Sequence, residues 1–167
     1  MEIRASHHFD RPLAEVWAMF LDPDAHVGKY AEMGHHDIRI LSAEPGDDSL
    51  RISIVRKVDG DVPAIARKFI KPSNTITTTD RWQRDAAGGY TGHSKVDVRN
   101  VPVAASAEAT LVADEDGEGC TYKVVLSVAL KVPLVGERIA GAMRPQLTEQ
   151  LNAEFVACDA WLARDDT

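Results

Sequence analysis

After roughly a hundred residues in which apolar side chains mostly alternate with polar ones, the periodicity of the sequence changes. From Leu134 to about Arg164, Val135, Ile139, Met143, Leu147, Leu151, Phe155, Cys158 and Leu162 recur every three or four positions, so they share one face of a helix. At about 1.5 Å per residue such a helix would span near 45 Å. A rod that long in a chain of 167 residues must lie along another element. The only candidate is the sheet that the preceding alternating segments would form. Burying each large apolar side chain is worth roughly 1.5–3 kcal/mol, so docking outweighs exposure.

The remaining segments fit that plan. Ile3, Ala5, His7 and Phe9 alternate with polar residues, a first strand with one apolar face. Asp10 is placed to accept from the free N–H groups of a following helix, with Pro12 in its first turn. Leu13, Val16, Trp17, Phe20 and Leu21 mark that helix, and Ala25 to Met33 a second short one ending at Gly34. About six strands follow, separated by turns such as Glu44-Pro45-Gly46-Asp47-Asp48, Asp85-Ala86-Ala87-Gly88-Gly89 and Asp114 to Gly119. Ala64 to Ile70 is read as a short edge strand. Short turns between successive strands make the sheet antiparallel, with one wet and one covered face. Pro133 ends the ladder and opens the long helix. Pro145 falls inside that helix, where it removes the bond to Gly141; the helix either kinks there or breaks in two.

The predicted fold class is therefore α+β: a curved antiparallel sheet of about seven strands around a long C-terminal helix, with two short helices after the first strand. Residues 1–167 form one domain, large enough to bury a core without staples. A net charge of −7 with no clustered basic field argues against nucleic acid as a partner. Cys120 and Cys158 read as small core residues rather than a disulfide. The N-terminus has no apolar signal core and no run of about 18 apolar residues exists, so a soluble cytoplasmic protein without a stable membrane anchor is expected. Nothing in the sequence sets an oligomeric state.

Two stretches carry a family resemblance: Ser6-His7-His8-Phe9-Asp10-Arg11-Pro12-Leu13-Ala14-Glu15-Val16-Trp17 and Val132-Pro133-Leu134-Val135-Gly136-Glu137-Arg138-Ile139. The chain resembles the helix-grip fold of the START/Bet v 1/polyketide-cyclase (SRPBCC) superfamily over nearly its whole length. The Pro133-Leu134-Val135-Gly136 lead into the last helix looks like an uncharacterised actinobacterial branch of it. The resemblance implies a cavity between sheet and long helix that holds a hydrophobic ligand, in some members with cyclase or aromatase activity. That superfamily shares no fixed catalytic set, so no catalytic residue is carried over.

The residues agree on the cavity. Gly92, Ser94, Ala105, Ala107, Ala109, Ala140 and Gly141 are small residues at inward positions and would leave volume unfilled, unless Trp82, Tyr90 and Phe155 fill it. Expected ligand contacts are Trp82, Tyr90, Ser94 and Val96 on the central strands, Ala107, Leu111 and Leu126 beyond them, and Met143, Leu147 and Leu151 on the helix. The pairs His7-His8 and His35-His36 point to opposite faces and support no metal site. No cofactor motif is present.

Asp80 shares a face with Ile76 and Trp82, which would set a carboxyl inside the cavity, with a raised pKa unless Arg56 or another cation pairs with it. The alternative register turns Asp80 to solvent beside Arg81. Gln146, Glu149, Gln150 and Glu154 read as the solvated side of the long helix. Three functional readings follow: a binder or carrier of a hydrophobic small molecule (lipid, isoprenoid or polyketide-like), a cyclase or aromatase-like enzyme using Asp80 and Tyr90, and a protein-interaction module with the cavity collapsed.

Overall fold

A computed structural model describes residues 1–164. The order is β1 (Glu2–Phe9), α1 (Leu13–Leu21), α2 (Pro23–Glu32), β2 (His36–Pro45), β3 (Ser49–Asp59), β4 (Ser73–Arg84), β5 (Tyr90–Val98), β6 (Val103–Ala113), β7 (Cys120–Leu130) and α3 (Gly136–Ala163). The seven strands form one antiparallel sheet in the order β1-β7-β6-β5-β4-β3-β2. The chain meanders from β2 to β7, and β1 then pairs with β7 at the far edge. Short turns make each step from β2 to β7 local, apart from the longer β3–β4 connection. Alternation gives the sheet its inner face, against which α3 packs.

Local chemistry accounts for the helix ends. The Asp22 carboxylate accepts from the Asp24 N–H at 2.9 Å, with Pro23 in the first turn of α2. Gly34 follows that helix at φ +85°, a conformation that suits a residue without Cβ, and lets the His35 N–H reach the Tyr30 carbonyl at 3.0 Å. Asp10 does not cap α1, contrary to expectation. Pro12 occupies the cap, its carbonyl accepts from Glu15 and Val16, and Asp10 lies instead 3.2 Å from His8 Nδ1.

Two other expectations change. Ala64 to Ile70 is no strand: Ala64–Ala66 is a single 3-10 turn, and the Phe69 and Ile70 N–H groups both bond the Ala66 carbonyl. Pro63 and the absence of alternation suit a turn better than a ladder. Pro145 neither ends nor splits α3, which continues from Gly136 to Ala163. Pro145 is exposed, and at Gly141, one turn before it, no atom beyond the helix's own nearby backbone lies within 4 Å of where a Cβ would stand.

The core is aromatic and lies toward one end of the sheet. Trp17 stacks on Tyr90 at 3.8 Å, Phe20 on Trp82 at 5.3 Å, and Tyr122 meets Phe155 edge-on at 5.6 Å. Trp82 lies across Gly92, its partner in register; a Cβ there would fall within 2.5 Å of the indole. The expectation that Gly92 leaves open volume is thus reversed, because the neighbouring indole occupies it. Aromatic rings fill this end of the space between sheet and helix, and the other end stays open.

Candidate functional site

The open end is a cavity of about 520 Å³ between the inner sheet face, α2 and α3. Ile76, Val96, Val98, Ala105, Ala107, Leu126 and Val128 line it from the sheet, and Met143, Leu147 and Leu151 from α3. Its size and apolar wall are those of small-molecule sites. Asp59, Gly60, Asp61, Lys71 and Glu149 also line it and are exposed, which places the mouth at the loop after β3 and the middle of α3.

Of the expected contacts, Trp82, Ser94, Val96, Ala107, Leu126, Met143, Leu147 and Leu151 face this cavity, and so does Asp80. Tyr90 and Leu111 do not. Tyr90 is packed under Trp17, and Leu111 is fully buried opposite Tyr90 on β6. Both share the inward parity of the sheet but sit at its filled end. Asp80 pairs in register with Ser94 and Arg84 with Tyr90, so Tyr90 lies four residues away along the strand. That is about 13 Å at the rise of a strand, so the expected pair Asp80–Tyr90 does not converge. Of the small inward positions, Ser94, Ala105 and Ala107 border the cavity, whereas Gly92, Ala109, Ala140 and Gly141 do not.

The polar groups that do converge form a cluster built by β3, β4, β5, α2 and α3. Lys29, 7 % exposed, reaches Glu154 at 2.9 Å. Burial works against the Lys29 charge, but Glu154 outweighs it and holds the amine well above its ordinary range. Burial likewise disfavours the Glu154 carboxylate; Lys29 again prevails and lowers it. Arg56 donates from Nε to His35 Nδ1 at 3.1 Å and from Nη1 to the Thr78 hydroxyl at 3.1 Å. A guanidinium can only donate, so His35 Nδ1 is bare and its Nε2–H donates to Gln150 Oε1 at 3.2 Å. Burial and the facing Arg56 lower the pKa of that histidine.

Asp80 accepts from the Ser94 hydroxyl at 2.6 Å, and burial raises its pKa despite that bond. Among the described residues it makes no ion pair within 4 Å, so the expected alternative of pairing with Arg56 is not realised. Arg56 was expected only as a possible partner of Asp80, Lys29 and His35 were not expected at the site, and Gln146, Gln150 and Glu154 were expected in solvent. All seven residues of the cluster and α3 edge line the cavity, Asp80 included. Two signals were present. Arg56 continues the buried alternation Leu50, Ile52, Ile54, and Gln150 and Glu154 extend the α3 stripe at i+7 and i+11 from Met143. Among the described residues no group of three or more His, Cys, Asp or Glu is arranged to hold a metal ion.

A single antiparallel sheet gripping a long C-terminal helix, with two short helices after the first strand and a cavity between, is the helix-grip fold of the START/Bet v 1/polyketide-cyclase superfamily. The chain belongs to the family described as "Protein of unknown function (DUF2505)", whose profile matches residues 4–162. No curated protein sequence matches the chain. Among solved structures it is similar to TTHA0849 from Thermus thermophilus, with a TM-score of 0.67 at 13% identity over 100% of both chains. It is also similar to the Zhui aromatase/cyclase from a Streptomyces species, with a TM-score of 0.63 at 16% identity over 100% of this chain and 96% of that one. Human STARD10 gives a TM-score of 0.58 at 10% identity over 94% of this chain and 62% of its own. At these identities the likeness is one of fold.

Proposed function

We propose that this protein binds a hydrophobic small molecule in the cavity between sheet and α3, as a binder or carrier. The observation that carries the reading is the apolar wall of valine, leucine and alanine around about 520 Å³ of unfilled space. A hydrophobic ligand entering a cavity of this size would gain packing against that wall. No helix among the described residues is long and apolar enough to cross a membrane, and the two buried thiols, Cys120 and Cys158, are free, as suits a cytoplasmic setting. Native mass spectrometry of the freshly purified protein, with organic extraction of the bound fraction, tests the reading. A stoichiometric apolar adduct is expected, absent from an Ala105→Phe variant that narrows the cavity. An empty wild-type protein that also takes up no neutral apolar probe overturns it.

A cyclase-like enzyme is the second reading, favoured by Asp80. Its carboxyl is held in the cavity by Ser94 at 2.6 Å with a raised pKa, as a general acid requires. Turnover abolished in Asp80→Asn while ligand binding persists would support catalysis over carriage.

A further inference from the structure

Arg56 stands out in the cavity wall because no carboxylate of the described residues touches it, Glu154 and Asp80 acting on it only at longer range. It is 7 % exposed, and among the described residues no carboxylate lies within 4 Å of it. Its hydrogen-bond partners, His35 and Thr78, are neutral. The guanidinium lies over the Tyr30 ring at 3.8 Å, and that ring stacks on His35 at 5.4 Å. The other charges nearby are accounted for: Lys29 and Glu154 neutralise each other at 2.9 Å, and Asp80 is bonded to Ser94. A buried cation without a counter-charge is costly, and breaking such pairs is among the most destabilising changes known in cores. Arg56 is nonetheless held in one orientation by three partners. Its Nη2 group has no hydrogen-bond partner among the described residues and keeps some exposure at the cavity wall. A fork held rigid with a free arm fits a planar anion.

From this arrangement we infer that the cavity ligand is an amphipathic acid whose carboxylate is received by Arg56 while its hydrocarbon part lies against Val96, Ala107, Leu126 and Leu147. The inference rests on the proposed binding function and specifies the class of molecule. The anion supplies the contact counter-charge that no carboxylate of the described residues provides, and the apolar wall of β5, β6, β7 and α3 accommodates the tail. A neutral alcohol of the same length would gain the same tail burial but leave Arg56 uncompensated.

The test compares dodecanoate with 1-dodecanol as competitors of N-phenyl-1-naphthylamine, a neutral fluorescent probe, at pH 8. For the wild-type protein the acid is expected to bind at least about tenfold more tightly than the alcohol, the scale of a hydrogen bond to a charged group. Arg56→Gln should erase that ratio, and Arg56→Lys, which keeps the charge but loses the fork, should retain part of it. Equal affinity of acid and alcohol for the wild type, or a ratio that survives in Arg56→Gln, overturns the inference while leaving the cavity reading intact. Failure of all three molecules to bind instead removes the cavity reading itself. Should Arg56→Gln not fold, dodecanoate labelled with carbon-13 at the carboxyl gives a second measurement on the wild type. Its bound carboxyl should titrate at or below its aqueous midpoint; a midpoint moved upward, as burial without a cation would cause, refutes the role of Arg56.

Discussion

His26 is buried on α2 with its Nε2–H donating to the Phe20 carbonyl at 2.7 Å, and its Nδ1 has no partner. Burial, helped by Lys29, pushes its pKa down to about 4. The unfolded chain would protonate this ring near pH 6.5 and the folded one only near 4. The folded state therefore binds fewer protons, and its stability is full above pH 6.5 and falls as pH drops through that window. The loss should reach about 3 kcal/mol by pH 4. Urea denaturation between pH 7 and 4 checks this, and His26→Gln should flatten that part of the profile. Glu154 adds a second loss below its ordinary pKa of 4.5, since its folded value is lowered by Lys29. At Gly92, replacement by Ala drives a methyl into the rigid indole of Trp82. A cost of about 1–3 kcal/mol is expected in the same denaturation measurement.

Among the elements, α3 does two jobs along its length. Its C-terminal half carries Phe155, Cys158 and Leu162 into the aromatic core, and its middle presents Met143, Leu147 and Leu151 to open space. In the first half Ile139 and Ala140 are buried, whereas Met143 and Leu147 meet the cavity. Pro145 sits in that half and withholds one backbone bond. Pro145→Ala should restore the bond to the Gly141 carbonyl and raise stability by up to about 3 kcal/mol, since the site is exposed. Thermal denaturation measures it; an unchanged or lowered midpoint would mean that α3 is bent around its load and needs the proline.

For the molecule as a whole, a filled end and a hollow end share one sheet. A ligand that enters the hollow adds contacts the empty protein lacks, so binding and folding are linked. Dodecanoate at about a hundred times its dissociation constant should add about 2.7 kcal/mol to stability. Differential scanning calorimetry should show a midpoint that rises with the logarithm of ligand concentration. The same titration in Ala105→Phe should show no rise, because that side chain occupies ligand space.

The order of elements, their antiparallel pairing and the identity of the inner face were legible in the chain because they follow from local periodicities of two and 3.6 residues. For Asp80 the chain left two registers open, inward with Ile76 and Trp82 or outward beside Arg81, and the strand pairing decides for the inward one, opposite Ser94. Parity says which side of a sheet a residue faces, but not how far along the sheet the aromatic plug extends. That is why Tyr90 and Leu111 share the parity of Ser94 and Ala107 and yet lie in solid core: Trp17 arrives from α1, a contact distant in sequence. The polar cluster was hidden for a related reason. Lys29, Arg56 and Glu154 are ordinary surface types until three separate elements bring them together at one wall, where the Lys29–Glu154 ion pair and the hydrogen bonds of Arg56 to His35 and Thr78, rather than hydropathy, accompany their burial.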